Sequence, residues 1–286
     1  MSLDSVENTS EYLEIDSEYM FKAEFASCHV FRQLLEYLNP TMSTLPIYFG
    51  KDEISMVCVN GFKTLFFQGI IERQNLTDYY ISPLITKDDP DAVHIIHVDI
   101  GRLLKSIKDL PRKGTFQIAQ SIRDPDNIVF NVIDGDNVSS GSFRLLPVRD
   151  EDIHISFEEN DPLPSNQPNK TVLLSKFAHA ASVSGKTTAK SSYIRCYPKG
   201  VRIIGTSSDK GSNTNNPWGD CSDGTEICEI KVSGEIMKSM AKLSNLCSEG
   251  IVRFYCNDPG YMRLEIPISI LGVAYIYIKK SSSDDK

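Results

Sequence analysis

Residues 99–110 read DIGRLLKSIKDL, and residues 233–246 read SGEIMKSMAKLSNL. In both segments apolar side chains recur at helical spacing, and basic side chains lie on the opposite face. The basic positions are Arg102, Lys105 and Lys108 in the first segment and Lys238 and Lys242 in the second. The two segments therefore predict equivalent amphipathic helices and indicate an internal repeat.

A second pair of segments extends the repeat towards the N-terminal side. Ser27–Asn39 and Ser175–Lys186 both have an apolar stripe, and Ser27 and Ser175 are 148 residues apart at the predicted helix N-caps. The polar faces carry Arg32 in the first helix and Lys176, His179 and Lys186 in the second. Each half of the chain is thus expected to contain helix, strands, helix and a closing β-hairpin.

The spacing of the repeat changes along the chain. It falls from 148 at Ser27 and Ser175 to 133 at Lys105 and Lys238, so the second copy is expected to be 15 residues shorter between Thr206 and Lys231. Residues 207–223 lie in that window and are rich in Ser, Asn, Asp and Gly, with one proline. Because such residues are depleted in strands, this segment is predicted to be a poor strand.

Composition shifts divide the chain into five parts. Residues 1–19 form an acidic tail, 20–148 a first domain, 149–170 an acidic, proline-containing linker, 171–280 a second domain and 281–286 a second tail. With 41% hydrophobic residues the two domains have enough apolar side chains for sizeable cores. No apolar run approaches the ~18 residues of a membrane helix, so a soluble protein made in the cytosol is expected.

Each candidate motif for catalysis or metal binding in the sequence is incomplete. Seven scattered cysteines argue against a disulfide framework, and Cys221 and Cys228 have neither zinc-site spacing nor a nearby histidine. Residues 184–188, SGKTT, lack the first glycine of a phosphate-binding loop, and His94 and His97 cannot share one face of a strand. We therefore expect no enzyme activity, no metal and no cofactor.

The four basic helix faces stand out because the chain has 30 Lys and Arg against 38 Asp and Glu, a formal net charge of −8. Ordinary solvated helix faces explain any one of them. Four equivalent faces with the same sign in an acidic chain are about equally consistent with chance and with a shared role.

With these segments in place, the chain resembles the sliding clamps of the proliferating cell nuclear antigen (PCNA) type. The resemblance spans residues 20–280. It rests on FKAEF at 21–25, FRQLLEYL at 31–38, the helix-plus-hairpin endings at 99–133 and 233–268, and VAYIYIKK at 273–280.

The resemblance implies an α+β DNA-clamp fold of two similar domains, with antiparallel sheets outside and helix pairs lining the interior of a ring. It implies a homotrimer around double-stranded DNA that acts as a polymerase processivity factor, is loaded by a clamp loader, and binds polymerase and other replication or repair proteins through short peptide motifs. The expected location is the nucleus, or a cytoplasmic replication site for a divergent clamp encoded by a large DNA virus.

The resemblance also assigns residues to three surfaces. The DNA-facing residues would be Arg32, Arg102, Lys105, Lys108, Lys176, His179, Lys186, Lys238 and Lys242. The partner-peptide site would contain Ile153, Ile155, Phe157, Tyr275 and Tyr277, and the subunit interface Phe143, Leu145 and Trp218.

The weak strand expected at 207–223 puts closure of the ring by strand pairing in doubt. Two alternatives therefore stay open: a checkpoint-type clamp subunit of a heterotrimer, and a monomeric clamp-like DNA-binding accessory protein.

Overall fold

The first half of the chain contains nine strands and three helices among the residues that the structure describes. The structure is a computed structural model that describes residues 18–108, 110–111, 113–148, 167–186, 192–205, 214–222, 226–247, 249–258 and 260–280. In chain order the elements are β1 (Tyr19–Phe25), α1 (Cys28–Leu38), β2 (Thr44–Phe49), β3 (Glu53–Val59), β4 (Leu65–Glu72), β5 (Asp78–Ile81), α2 (Pro83–Thr86), β6 (His94–Asp99), α3 (Ile100–Ile107), β7 (Thr115–Ser121), β8 (Asp124–Asp134) and β9 (Asn137–Arg144).

The second half repeats this order with fewer elements. They are β10 (Lys170–Leu173), α4 (Leu174–Lys186), β11 (Ser192–Tyr197), β12 (Lys199–Gly205), β13 (Thr214–Asp220), β14 (Cys228–Val232), α5 (Gly234–Met240), β15 (Ile251–Asp258), β16 (Tyr261–Ile268) and β17 (Gly272–Lys279). A helix is present in each of the four segments predicted to be helical, although α5 covers only half of the predicted range 233–246. None of the helices in the described ranges is long and apolar enough to cross a membrane.

The strands form three antiparallel sheets, and one of them joins the two halves. The orders are β5-β1-β7-β8-β9, β10-β15-β16-β17-β4-β3-β2-β6 and β13-β12-β11-β14. The joint is the pairing of β17 with β4, which runs from Gly272 opposite Ile71 to Ile278 opposite Leu65. The two halves therefore share one continuous eight-stranded sheet.

Local capping explains where three of the helices begin. The side chains of Ser27, Asp99 and Ser233 accept hydrogen bonds from the first-turn amides of α1, α3 and α5. The predicted cap at Ser175 is wrong, because β10 runs directly into α4 at Leu174. The Leu174 amide instead donates to the Gly250 carbonyl at 2.9 Å.

The segment predicted to be a poor strand forms one, so that prediction is wrong for part of its length. Residues 214–220 make β13, which pairs with β12 from Thr214 opposite Gly205 to Asp220 opposite Lys199. The apolar strand β12 provides main-chain partners whatever side chains β13 carries. Pro217 is tolerated because β13 lies at the edge of its sheet.

The shortening of the second half falls elsewhere in the predicted window. Between β4 and β6 the first half has residues 73–93, which include β5 and α2, whereas residues 221–227 alone connect β13 to β14. The second half thus lacks counterparts of β5 and α2 among its described residues and keeps its edge strand.

Buried apolar side chains fill the space between sheets and helices in both halves. In the first half the rings of Phe21 and Phe49 stack with centroids 3.7 Å apart. In the second half Phe177 of α4 packs edge-on against Phe254 at 5.5 Å. A disulfide joins Cys196 of β11 to Cys256 of β15, a pairing that the scattered cysteine positions did not predict. It links the two sheets of the second half.

Candidate nucleic-acid interface

Four helices from the two halves lie side by side in one layer. Helix α3 contacts α1, α1 contacts α5, and α5 contacts α4, so the layer crosses the boundary between the halves. Each helix buries its apolar stripe, as Leu103, Phe31, Met237 and Phe177 show. The opposite faces of the helices therefore form one surface.

Exposed basic side chains dominate this helix layer. Those predicted from the sequence and exposed in the structure are Arg102, Lys105, Lys108, Lys176, His179 and Lys238. Among the described residues of these helices, the acidic side chains are Glu36, which pairs with Arg32, and the exposed Glu235. Positive charge is thus concentrated on one face of a chain whose net charge is −8, an arrangement suited to phosphate contacts.

Two of the predicted DNA-facing residues hold helices together. The Arg32 guanidinium pairs with Glu36 through Nε and Oε1 at 3.0 Å, and its Nη1 donates to the Lys108 carbonyl at 2.9 Å. The Lys242 ammonium donates to the Glu36 carbonyl at 3.0 Å, which connects the second half to α1. Both side chains are half-buried. The side chain of Lys186 lies outside the described residues.

A polar cavity lies beside the Arg32 contacts and was not expected from the sequence. It has a volume of about 200 Å³ and is lined by His29, Arg32, Gln33, Glu36 and Asn245. The ring nitrogen Nε2 of His29 and the amide nitrogen of Gln33 are 2.8 Å apart. Positions 29, 33 and 36 follow helical spacing and so share a face of α1, but nothing in the sequence brings Asn245 against them.

The cysteine at the start of α1 is buried, and its burial favours the thiol form. Burial raises the pKa of the Cys28 thiol to about 11, and the nearby Arg32 charge only partly opposes this. The thiol therefore stays protonated at neutral pH, since the thiolate is the reactive form.

The structure describes only part of the predicted peptide site. Ile153, Ile155 and Phe157 lie outside the described residues. Tyr277 is buried where β17 pairs with β4. Its ring packs edge-on against that of Phe66, with the ring centroids 5.5 Å apart.

Tyr275 belongs to a separate cluster on the neighbouring strands. Arg263 lies between two aromatic rings, 4.3 Å from that of Tyr255 and 5.1 Å from that of Tyr275. Burial, and then the charge of Glu265, raises the pKa of the Tyr275 hydroxyl. Tyr275 is therefore held in place by an ordered polar-aromatic group.

The predicted interface side chains lie near two sheet edges. Within the described residues, β9 and β13 are end strands whose outer edges have no strand partner. Phe143 of β9 is 5% exposed and belongs to the hydrophobic core, while Leu145 and Trp218 are half-buried and pack against the core from the first and the second half, respectively. The edges themselves thus offer main-chain groups, and Trp218 is the larger of the two accessible side chains.

Comparison with known proteins supports the architecture. No protein-family model and no curated protein sequence matches the chain. Among solved structures, PCNA of Entamoeba histolytica is similar over 92% of this chain and 100% of its own, with a TM-score of 0.71 and 13% identity. PCNA of Thermococcus kodakaraensis is similar over 91% and 99%, with a TM-score of 0.67 and 14% identity.

A third solved structure extends the similarity to a complex of two different clamp subunits. The PCNA2–PCNA3 complex of Sulfolobus tokodaii is similar over 91% of this chain and 99% of the matched chain, with a TM-score of 0.67 and 12% identity. All three similarities span nearly the whole length of both chains. The chain therefore has the α+β DNA-clamp fold of PCNA-type sliding clamps.

Proposed function

We propose that this protein is a sliding clamp that encircles double-stranded DNA and increases the processivity of a DNA polymerase, without catalysis of its own. The observation that carries the proposal is the continuous layer of four helices with its exposed cations. Lys105 of the first half and Lys238 of the second occupy equivalent helices of this layer. A surface of this kind matches the regular charge of a duplex better than it matches a small ligand.

Sliding requires contacts that hold the duplex without reading it. Lysine and arginine side chains that neutralise phosphates carry no sequence information, and such contacts exchange readily with counterions. The helix layer offers long, exposed lysine side chains for such contacts. It therefore supports sequence-independent binding.

The internal repeat suggests how copies of the chain close a ring. Within one chain the last strand of the second half, β17, pairs with the fourth strand of the first half, β4. The corresponding strands left at sheet edges are β9 and β13. Pairing β9 of one copy with β13 of the next would repeat the joint between the halves, and we propose that three copies complete the ring.

Client proteins would bind outside the ring through short peptides. We propose that Ile153, Ile155 and Phe157 of the linker, with Tyr275 and Tyr277 of β17, form this site for polymerase and other replication or repair proteins. A clamp loader would place the ring on DNA, in the nucleus or at a cytoplasmic replication site of a virus. Replacing the three linker residues with serine is expected to abolish peptide binding, measured by calorimetry, without changing the oligomeric mass.

Encirclement is tested with linear DNA whose ends are free or are blocked by a bulky protein after the clamp has been added. A ring leaves a linear duplex mainly by sliding off its ends. Dissociation at moderate salt should therefore be at least tenfold slower from the blocked DNA. Equal dissociation from both DNAs would contradict encirclement.

Two features of β13 favour the alternatives of a heterotrimer subunit and a monomeric DNA-binding protein. Pro217 has no amide hydrogen, and Gly219 has a φ of +82° that departs from regular strand geometry. Both reduce the main-chain pairing that an edge strand can offer. Light scattering at micromolar concentration separates a homotrimer from both alternatives, because a homotrimer has three times the mass of the 32.0 kDa chain.

A further inference from the structure

Three cysteines from distant parts of the second half meet in its core. Cys196 of β11 lies directly opposite Cys228 of β14, and Cys256 approaches from β15 in the other sheet. Their sulfur atoms all lie within 4.8 Å of one another, and all three side chains are buried. Within the described residues this is the one group of three or more side chains placed to hold a metal ion.

A fourth sulfur atom adjoins the cluster. The thioether of Met262, on β16, lies 3.7 Å from the sulfur of Cys196 and is fully buried. Zinc–sulfur bonds of about 2.3 Å in tetrahedral geometry place ligand sulfurs about 3.8 Å apart. The spacing of these sulfur atoms therefore suits a single small cation after modest adjustment.

We propose that Cys196, Cys228 and Cys256, once the disulfide is reduced, bind one soft d10 cation between the two sheets of the second half. Sulfur ligands without any oxygen donor select Zn²⁺ or Cu⁺ over Mg²⁺ and Ca²⁺. Three thiolates leave one net negative charge around Zn²⁺ and two around Cu⁺. Because a buried net charge is costly, Zn²⁺ is the favoured cation.

The chemistry has two balanced steps. A dithiol reductant gives two electrons and two protons to the Cys196–Cys256 disulfide, yielding two thiols and an oxidised dithiol. The cation then replaces the protons of the three thiols, and these protons pass to solvent. The disulfide and the metal complex are therefore mutually exclusive links between the same two sheets.

The position of the cluster explains what the cation would do. Strands β11 and β14 belong to the four-stranded sheet, whereas β15 and β16 belong to the eight-stranded sheet. A metal held by both sheets would stabilise the half of the molecule that lacks counterparts of β5 and α2. In a reducing compartment it would replace the disulfide in that task.

The test uses the full chain, refolded from urea without oxygen in the presence of a dithiol. One equivalent of Zn²⁺, of Cu⁺ or of the spectroscopic probe Co²⁺ is added during refolding, because the cluster is closed to solvent in the folded chain. We expect about one metal ion per chain after desalting, thiolate-to-cobalt charge-transfer absorption, and a melting temperature raised by about 5 °C or more relative to a chelator control. Tighter binding of Zn²⁺ than of Cu⁺ supports Zn²⁺ as the cation, and the reverse order would overturn that choice.

Variants assign the binding to this cluster. Cys228→Ala should reduce bound metal at least tenfold, whereas Cys221→Ala, which removes a buried thiol of the same half outside the cluster, should retain it. Chain refolded with the disulfide intact, verified by thiol counting, should bind less than a tenth of an equivalent.

The proposal is overturned if the reduced parent chain binds neither Zn²⁺ nor Cu⁺, and this result does not depend on any variant folding. It is equally overturned if the disulfide-bonded chain binds as much metal as the reduced chain, or if folded Cys228→Ala binds as much as the parent.

Discussion

The two halves of the molecule share one topology but differ at equivalent places in their cores. At the end of β2, Phe49 lies opposite His94 and stacks on Phe21; at the end of β11, Cys196 lies opposite Cys228. The first half thus has packed aromatic rings at the position where the second half has cysteine side chains. A repeated fold preserves strand pairing and total packing, while the chemistry of individual core positions is free to diverge.

The halves also differ in the strand that lies at the edge of a sheet. In the first half β5 pairs with β1 and extends the sheet, whereas in the second half β10 is the end strand among the described residues. The joint at β4 and β17 is common to both. The following predictions test how far the halves behave as equivalent units.

The largest expected effect comes from the aromatic cores. Phe49→Ala in the first half and Phe177→Ala in the second should each lower the free energy of unfolding by about 3–5 kcal/mol, because each removes a fully buried ring. Since the continuous sheet couples the halves, urea denaturation should show one transition for both variants. Phe62→Ala, at a position that is 88% exposed, is the control and should have little effect. Two separate transitions for Phe177→Ala would show that the halves unfold independently.

The helix layer provides the next comparison. Lys105→Glu and Lys238→Glu should weaken DNA binding to a similar extent, and the double variant should bind at least about tenfold more weakly near 0.1 M salt. Fluorescence anisotropy with a labelled duplex measures this, and circular dichroism checks the fold. Lys63→Glu, in the exposed β3–β4 turn, makes the same charge change away from the helices. An equal loss of affinity in Lys63→Glu would show that net charge, and not the helix surface, is responsible.

Removing the large aromatic side chain from each of the two edge strands should have different effects. Trp218→Ala is expected to shift the assembly towards monomer by several-fold in its dissociation constant, because Trp218 is only half-buried on the edge strand β13. Phe143→Ala should instead lower the unfolding free energy by about 3 kcal/mol, because Phe143 packs in its own core. Light scattering on a dilution series, alongside urea denaturation, separates the effects. Dissociation of Phe143→Ala with unchanged stability would place that ring in the interface.

The smallest effect is a pH dependence confined to the first half. Burial lowers the pKa of His94 from its ordinary value of 6.5, partly opposed by its hydrogen bond with Gln120. The unfolded chain therefore takes up a proton at a higher pH than the folded chain. The stability conferred by neutral His94 is complete above pH 6.5 and is lost as the pH falls below it. Urea denaturation between pH 7.5 and about 5 should show a smaller decline for His94→Gln than for the parent; an identical decline would exclude His94.

Much of the fold follows from local sequence patterns. The helices predicted at Ser27–Asn39 and 99–110 are observed at Cys28–Leu38 and Ile100–Ile107, so both begin within one residue of the predicted start and the second ends three residues early. The predicted helix at 233–246 instead ends at Met240 and is followed by a short turn of 3₁₀ helix, Leu243–Asn245. Helix starts were predicted better than helix ends because a capping side chain marks a start directly.

The candidate interface was predicted less completely. The exposed lysines of the helix layer follow from helical periodicity, because a residue opposite an apolar stripe must face outward. The roles of Arg32 and Lys242 do not follow from helical periodicity, because both side chains donate hydrogen bonds to main-chain carbonyls of other helices. These partners depend on how the helices pack against one another, and the spacing of residues within one helix does not predict that packing.

The sequence by itself determined that the chain has two similar halves, where the four helices of the layer begin, and which helix faces are basic. These properties depend on neighbours within a few residues, so composition and periodicity express them directly. Tertiary structure alone decided that the polar segment 214–220 becomes a strand, that β17 joins β4, and that Cys196, Cys228 and Cys256 meet. Each of these outcomes depends on contacts between residues far apart in the chain, where the pairing of main-chain groups and the packing of sheets outweigh local preference.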